Sequence, residues 1–350
     1  MTGARSLDRK VEFESSIERS EKPVDRAFKG DYDIAIERYE DRSLAVKNQE
    51  GEKILRLDSK RGTLEIGDMA SFGVVADVIA KQKGNDISIS LSGAVGKKDK
   101  EEWGKICDVY GLSLDPHGHW GGKVPGEKFK ELVDKLGSME SVGKEAKSEE
   151  HSRLKINLTV LDPSLTETLN EYILSGQFKK EYRYRKFTYD VITPFYKTYK
   201  DANVWAFYKA DGFYDRGNGI RIHKHEGYLT MVDSKKGIIG FGNIEEARKF
   251  QEKLGKIGIV PAGSYPVFNK GDPLAYKFED EGAISITAAG TTIVPVDPNS
   301  SIGDYDDDQR ALPKALILYF YPEDFANVAF QYDQYAQQSE IGLSSEFGKK

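Results

Sequence analysis

The chain has 350 residues, a length that favours one large domain or two of medium size. Hydrophobic residues make up 39% of it and charged residues 31%, which is enough apolar material for a core but too much charge for a membrane protein. The longest apolar run, 315–321, is too short to span a bilayer, and the charged start lacks the pattern of a secretory signal. A single cysteine, Cys107, excludes an internal disulfide framework, so we expect a cytoplasmic protein.

Apolar periodicity predicts most elements of the chain. Between Asp33 and Ile66 the apolar residues alternate in short runs separated by turn residues, which predicts four antiparallel strands. The rest of the first half is expected to contain a helix over 69–81, a strand over 87–91, a helix from about 98 and a helix over 126–136. The second half is expected to contain strands over 154–160, 178–192, 237–241 and 257–260, helices over 163–175 and 244–254, a hairpin over 283–296 and a buried segment over 315–321.

These elements together predict an α+β fold of two domains, with mixed or antiparallel sheets and helices packed on one face. Composition suggests where the domains divide, because residues 137–152 are rich in Gly, Ser, Lys and Glu and offer almost nothing to bury. The expected organisation is an N-terminal arm over 1–30, a first α+β domain over 31–136, a linker over 137–152, a second α+β domain over 153–335 and a C-terminal tail over 336–350.

Histidine spacing is the first unusual feature of the sequence. Four of the five histidines form two His-x-His pairs, His117 with His119 and His223 with His225. On a strand, residues two apart share a face, so both imidazoles of a pair can bind one zinc or iron ion. Asp115 or Glu226 is then the candidate general base. The sequence leaves open whether the two pairs meet.

A basic and aromatic segment over 178–200 is the second unusual feature. It contains seven basic residues and two acidic ones, Glu181 and Asp190, within a chain whose net charge is −6. Alternation predicts a strand on which tyrosines share one face and arginines the other. Stacking rings beside phosphate-neutralising cations are typical of surfaces that bind single-stranded nucleic acid. The candidate binding residues are Tyr182, Arg183, Tyr184, Arg185, Lys186 and Tyr189.

The sequence therefore favours a non-enzymatic cytoplasmic binding protein that contacts single-stranded nucleic acid or an acidic protein through residues 178–200. Two alternatives stay open: a metal-dependent hydrolase that uses the paired histidines, and an assembly or structural protein. The preferred hypothesis requires the segment to be open to solvent, whereas an ordinary amphipathic strand would pack its tyrosines inward. No membrane contact is expected, and the sequence does not indicate the oligomeric state.

Overall fold

The computed structural model describes residues 32–40, 42–81, 86–92, 97–137, 155–160, 162–280, 283–288, 290–296 and 313–347. These residues form two antiparallel sheets of eight strands each, together with helices, which confirms the predicted α+β fold. The predicted arm over 1–30 and all but the first residue of the predicted linker over 137–152 lie outside the described residues. Within the described part of the chain, no helix combines the length and the apolar character needed to cross a membrane.

The first sheet contains the four strands predicted at the start of the chain. Its strands are β1 (Ala35–Arg38), β2 (Leu44–Lys47), β3 (Lys53–Asp58), β4 (Thr63–Ile66), β5 (Asp86–Ser92), β6 (Ser113–Leu114), β7 (Trp120–Pro125) and β8 (Lys155–Val160). They lie in the order β1-β2-β3-β4-β8-β5-β7-β6. The accompanying helices are α1 (Met69–Ala80), α2 (Lys97–Val109), α3 (Gly126–Gly137), α4 (Pro163–Leu174) and α5 (Gln177–Phe187).

Helix α1 illustrates how the sequence forms this unit. Asp68 caps its N-terminus, since the carboxylate accepts the backbone N–H of Ser71 at 2.8 Å. Phe72, Val75 and Ile79 recur at helical spacing and are buried in one core with the apolar residues of the strands. The helix is therefore stabilised at its end by the cap and along its length by burial.

The second sheet includes the C-terminal half of the described chain. Its strands are β9 (Gly212–Gly217), β10 (Ile220–His225), β11 (Tyr228–Asp233), β12 (Ile238–Phe241), β13 (Gly263–Asn269), β14 (Ile286–Ala288), β15 (Thr291–Ile293) and β16 (Ala315–Tyr319). They lie in the order β14-β15-β13-β16-β12-β11-β10-β9, so β9 is an edge strand. A π-helical turn (Thr188–Ile192) precedes α6 (Thr193–Phe207), and the later helices are α7 (Ile244–Gly255), α8 (Pro273–Asp280) and α9 (Phe325–Phe347).

Helices cover both faces of this second sheet rather than one. On one face, Phe241 of β12 packs with Phe250 of α7 and with α9. On the other face, Phe195 of α6 approaches Gly240 so closely that a Cβ at residue 240 would lie 2.8 Å from the ring. Adjacent residues of a strand point to opposite faces, so β12 contacts helices on both sides.

The boundary between the two units differs from the predicted one. Contacts divide the chain near residue 189 rather than at 153. The reason is that β8 pairs with β4 and with β5, so the strand predicted over 154–160 belongs to the first sheet. Alternation in residues 154–160 identifies a strand but not the strands that pair with it. For this reason the boundary predicted from the sequence lies before β8, whereas β8 belongs to the first sheet.

Two shorter predictions also need correction. Residues 257–260 form a turn and an extended segment rather than a strand, and the next strand, β13, begins at Gly263. The predicted tail over 336–350 is helical as far as Phe347, because α9 continues through it. By contrast, the predicted helix over 244–254 is present as α7, and Asn243 caps it by accepting the N–H of Glu245 at 3.0 Å.

Candidate functional site

The segment predicted to be a basic strand is helical. Residues 177–187 form α5, and the π-helical turn and α6 follow it. Gly176, at φ 80°, provides the left-handed turn that separates α4 from α5. Buried residues fall at Phe178, Tyr182 and Arg185, which is the spacing of one helical face. Rings and bases also alternate at the two-residue period of a strand, and for this reason the helical period was not recognised in the sequence.

Two of the predicted contact residues bind acids of the first unit. The Tyr182 hydroxyl donates to Asp68 at 2.9 Å, so it contacts the side chain that caps α1. Arg183 donates to Asp33 at 2.6 Å, and Lys179 lies at the same distance from the same carboxylate oxygen. Burial would raise the pKa of Asp33, but the hydrogen bonds from Lys179 and Arg183 outweigh it and keep that pKa below its ordinary value.

Arg185 is the most deeply buried of the predicted contact residues, with 1% of its surface exposed. Its guanidinium group donates to Asp77 of α1, and Lys130 of α3 lies 3.1 Å from the other oxygen of that carboxylate. Gly73 allows this approach, because a Cβ there would lie 2.7 Å from the guanidinium group. The ion pair joins α1, α3 and α5, so Arg185 serves packing and not solvent contact.

The remaining three predicted residues are partly buried: Tyr184, Lys186 and Tyr189. Desolvation raises the pKa of the Tyr189 phenol to about 12. Residues 178–200 therefore form helices in place of the predicted solvent-open ribbon: α5 packs within the first unit and α6 within the second. Tyr182, Arg183 and Arg185 bind Asp68, Asp33 and Asp77, acids that are far away in sequence. Only the tertiary structure brings these residues together.

The first histidine pair lies in the turn between β6 and β7. His117 and His119 are both exposed, and the Asp115 carboxylate accepts the backbone N–H of each at 2.8 Å. These hydrogen bonds, that from His119 first, lower the pKa of Asp115. The residue predicted as a general base thus stabilises a tight turn in this structure.

The second histidine pair lies on β10, with both side chains on one face. His223 is buried; its ring stacks on Phe213 at a centroid distance of 4.3 Å, and its Nδ1 lies 3.0 Å from the Tyr332 hydroxyl. His225 is partly buried, with its ring 5.8 Å from that of His223. Glu226, the other candidate base, occupies the turn after β10 at φ 49° and is exposed.

The two histidine pairs belong to different units of the chain. Among the residues that the structure describes, no three His, Cys, Asp or Glu side chains are placed to hold one metal ion. A zinc or iron site formed by His117, His119, His223 and His225 therefore stays a prediction.

A basic and aromatic surface does exist, but it lies at the free edge of the second sheet. Phe207 and Tyr208, at the end of α6, are 77% and 82% exposed, and their rings meet edge to face at 5.2 Å. Two residues before Phe207 in the chain, the partly buried Trp205 ring has the Lys209 ammonium 5.1 Å and the Arg216 guanidinium 4.9 Å from its centroid. Exposed rings and cations are thus close to one another in the chain here.

Strand β9 and the segment after α6 hold this surface together. Tyr214 of β9 packs against Trp205 at 5.5 Å, and its hydroxyl donates to the Ala210 carbonyl. Lys224 of β10 donates to the Lys209 carbonyl. Tyr214 and Lys224 lie on one face of the sheet, because Tyr214 is opposite Ile222 in the register. Arg216, the extra residue of a β-bulge, reaches the same face, because its guanidinium lies over the Trp205 ring that Tyr214 also contacts. The basic edge face is the set Trp205, Phe207, Tyr208, Lys209, Tyr214, Arg216 and Lys224.

The sequence contained a signal for this surface that the prediction did not use. Rings and bases do not stop at residue 200 but continue through 228. Asn218 and Gly219 form a hairpin signal between Tyr214 and the β10 strand, and both have positive φ values, 55° and 82°. That signal places Tyr214 and Arg216 on a strand that pairs with β10.

The chain matches no family model, no curated protein and no solved structure. The chemistry of the site therefore comes from its own residues. Three cations provide positive charge, and the protruding rings provide flat apolar surfaces. An anionic partner with planar groups is the class of molecule that such a surface is suited to bind.

Proposed function

We propose that the protein is a non-enzymatic, cytoplasmic binding protein whose basic edge face contacts single-stranded nucleic acid. The observations that carry the proposal are the exposure of Phe207 and Tyr208 and, next to them in the chain, the cations Lys209 and Arg216 over the Trp205 ring. Each base has a flat face that stacks on an aromatic ring, worth about 1–3 kcal/mol per base. Lysine and arginine next to the rings neutralise the phosphates that link those bases.

The charges of this face favour an anionic partner over a neutral one. Lys209, Arg216 and Lys224 give it a charge of +3, although the whole chain carries −6. In addition, Phe207 and Tyr208 are largely exposed, and aromatic side chains have only two torsion angles to fix, so they lose little entropy when a partner binds. Single strands fit better than duplex, because duplex bases are already stacked on one another.

The proposal is tested by fluorescence anisotropy with a labelled oligothymidylate and the full-length chain. Phe207→Ala/Tyr208→Ala should weaken binding by about tenfold or more, because two stacking surfaces are lost. Lys209→Ala/Arg216→Ala should reduce the salt slope by about 0.7 for each lost phosphate contact when salt is raised from about 50 mM to about 200 mM.

A matched control is available in the same unit of the chain. Tyr276 and Phe330 are 55% and 57% exposed and lie on α8 and α9. Tyr276→Ala/Phe330→Ala removes the same two ring types and should leave affinity unchanged. Equal losses in the two double variants, or no binding by the wild type, would contradict the proposal. Binding of polyglutamate without binding of the oligonucleotide would also reject it and would indicate an acidic protein partner.

A further inference from the structure

The edge strand β9 separates its charges between the two faces of the sheet. Phe213 and Tyr214 point to opposite faces because they are adjacent in the strand, and Asp215 shares the face of Phe213. Arg216, the extra residue of a β-bulge, belongs to the basic edge face because its guanidinium lies over the Trp205 ring. The register confirms this arrangement, because Phe213 is opposite His223 and Asp215 is opposite Arg221. Consecutive residues of one strand thus give two surfaces of different charge.

The opposite face also carries exposed rings. Phe213 is 44% exposed above His223, and Tyr228, opposite His225 in the register, is 49% exposed. Helix α7 brings Glu246 near His225. We call the set Phe213, Asp215, His225, Tyr228 and Glu246 the acidic edge face.

The two edge faces carry charges of opposite sign. Around the acidic edge face the charged side chains include the acids Asp215, Glu226, Glu246 and Asp333 and the bases Arg221 and Lys249, a net charge of −2. Arg221 is already paired with Asp333 at 2.6 Å. Burial raises the pKa of Glu246, whereas Asp215 is exposed, so Asp215 is the main acid offered to a partner.

We infer that the acidic edge face of one copy binds the basic edge face of a second copy. Both faces lie at the free edge of one sheet, both carry exposed rings, and their charges are complementary. Aromatic side chains and arginine are the residue types that anchor protein interfaces. Because the two faces differ, the contact is head to tail, and each copy retains one unused face for another copy.

The test measures the mass of the full chain by sedimentation velocity, without nucleic acid, over a wide range of protein concentration. The mass should rise with concentration and fall as salt screens the charges. Asp215→Lys and Arg216→Glu should each weaken association by about tenfold, because each variant places like charges opposite one another. Exposed charges elsewhere serve as controls, and Lys270→Glu and Asp324→Lys should leave association unchanged.

Mixing the two variants gives the most specific outcome. An equimolar mixture of Asp215→Lys and Arg216→Glu should restore association, because the reversed face of each variant complements a face of the other. Since the Asp215 carboxylate also accepts the Gly217 N–H at 2.7 Å, Glu246→Lys provides a second acidic-face variant if Asp215→Lys fails to fold. A monomeric wild type at every concentration, or a mixture that stays dissociated, overturns the inference.

The inferred self-association does not depend on nucleic-acid binding, so an experiment can disprove either one while the other stands. Asp215→Lys leaves every residue of the basic edge face in place, so this variant should bind oligothymidylate like the wild type. Loss of self-association with intact binding is the pattern expected for a contact between copies. A wild type that self-associates without binding the oligonucleotide supports the inference and rejects the proposed function alone.

Discussion

Two segments of this protein have similar composition but differ in burial. Helix α5 (Gln177–Phe187) and the segment 205–228 are both rich in rings and bases. In α5, Arg185 is buried against Asp77 and Tyr182 is hydrogen-bonded to Asp68. In the second segment, Phe207 and Tyr208 protrude. The comparison shows that the rings of a basic and aromatic segment stay exposed only where no neighbouring element of the described chain packs over them.

The largest effect on the free energy of unfolding is expected at Arg185, the buried arginine of α5. Arg185→Ala leaves the Asp77 carboxylate without its guanidinium partner, so the free energy of unfolding should fall by about 3–5 kcal/mol in urea denaturation. Arg216→Ala, on the exposed segment, should change it by less than about 0.5 kcal/mol. Arg185→Met/Asp77→Leu should recover most of the loss, because neither buried charge remains and the Lys130 ammonium that also paired with Asp77 is partly exposed to water. Similar losses for the two single variants would remove the distinction between the segments.

A smaller effect is expected at the tyrosines. Tyr182→Phe removes the hydroxyl that donates to Asp68, the cap of α1, and should lower the free energy of unfolding by about 1 kcal/mol. Tyr208→Phe is the matched control, since its ring is 82% exposed, and should have no measurable effect on urea unfolding. A Tyr182→Phe protein as stable as the wild type would show that the hydrogen bond adds nothing.

The smallest effect concerns the pH dependence of the Asp33 pair. Because the folded pKa of Asp33 lies below its unfolded value, the unfolded chain binds the proton more tightly and acid destabilises the fold. The contribution of Asp33 is present at neutral pH and is lost as the pH falls below about 4. Asp33→Asn should therefore be less stable than the wild type at neutral pH, by under about 1 kcal/mol because the pair is partly exposed.

The same urea titrations in acid provide the check on this pH effect. The difference between wild type and Asp33→Asn should shrink as the pH falls, because both side chains are then neutral. Asp201→Asn removes an exposed carboxylate on α6 and should match the wild type at every pH. A difference between wild type and Asp33→Asn that persists in acid would show that the pair contributes through something other than charge.

Local periodicity was enough to predict the elements with clear apolar stripes. Strands β1–β4 are short apolar runs separated by turn residues, and α1 and α7 combine buried residues at helical spacing with a capping residue at Asp68 or Asn243. These predictions succeeded because burial and capping act on residues that are close in the chain. The same reasoning could not place β8 in the first sheet, because its partners β4 and β5 are far away in sequence.

The candidate site was harder to predict for a related physical reason. Phe178, Tyr182 and Arg185 satisfy a helical period, while Tyr182 and Tyr184 satisfy a strand period, so the pattern was ambiguous. Burial of Arg185 depends on Asp77, a residue 108 positions away, and no local signal reports such a pair. The exposed segment was overlooked because its rings are distributed over a helix end, a turn and an edge strand.

Hydroxyl-radical footprinting of the full chain, with and without oligothymidylate, tests the central claim most directly because it observes both segments at once. We predict that Phe207 and Tyr208 are oxidised rapidly in the free protein and are protected by the oligonucleotide. Tyr182 should react slowly in both states, because it is buried. Rapid oxidation of Tyr182 that the oligonucleotide suppresses, with Phe207 and Tyr208 unaffected, would contradict the account and return the contact surface to residues 178–200.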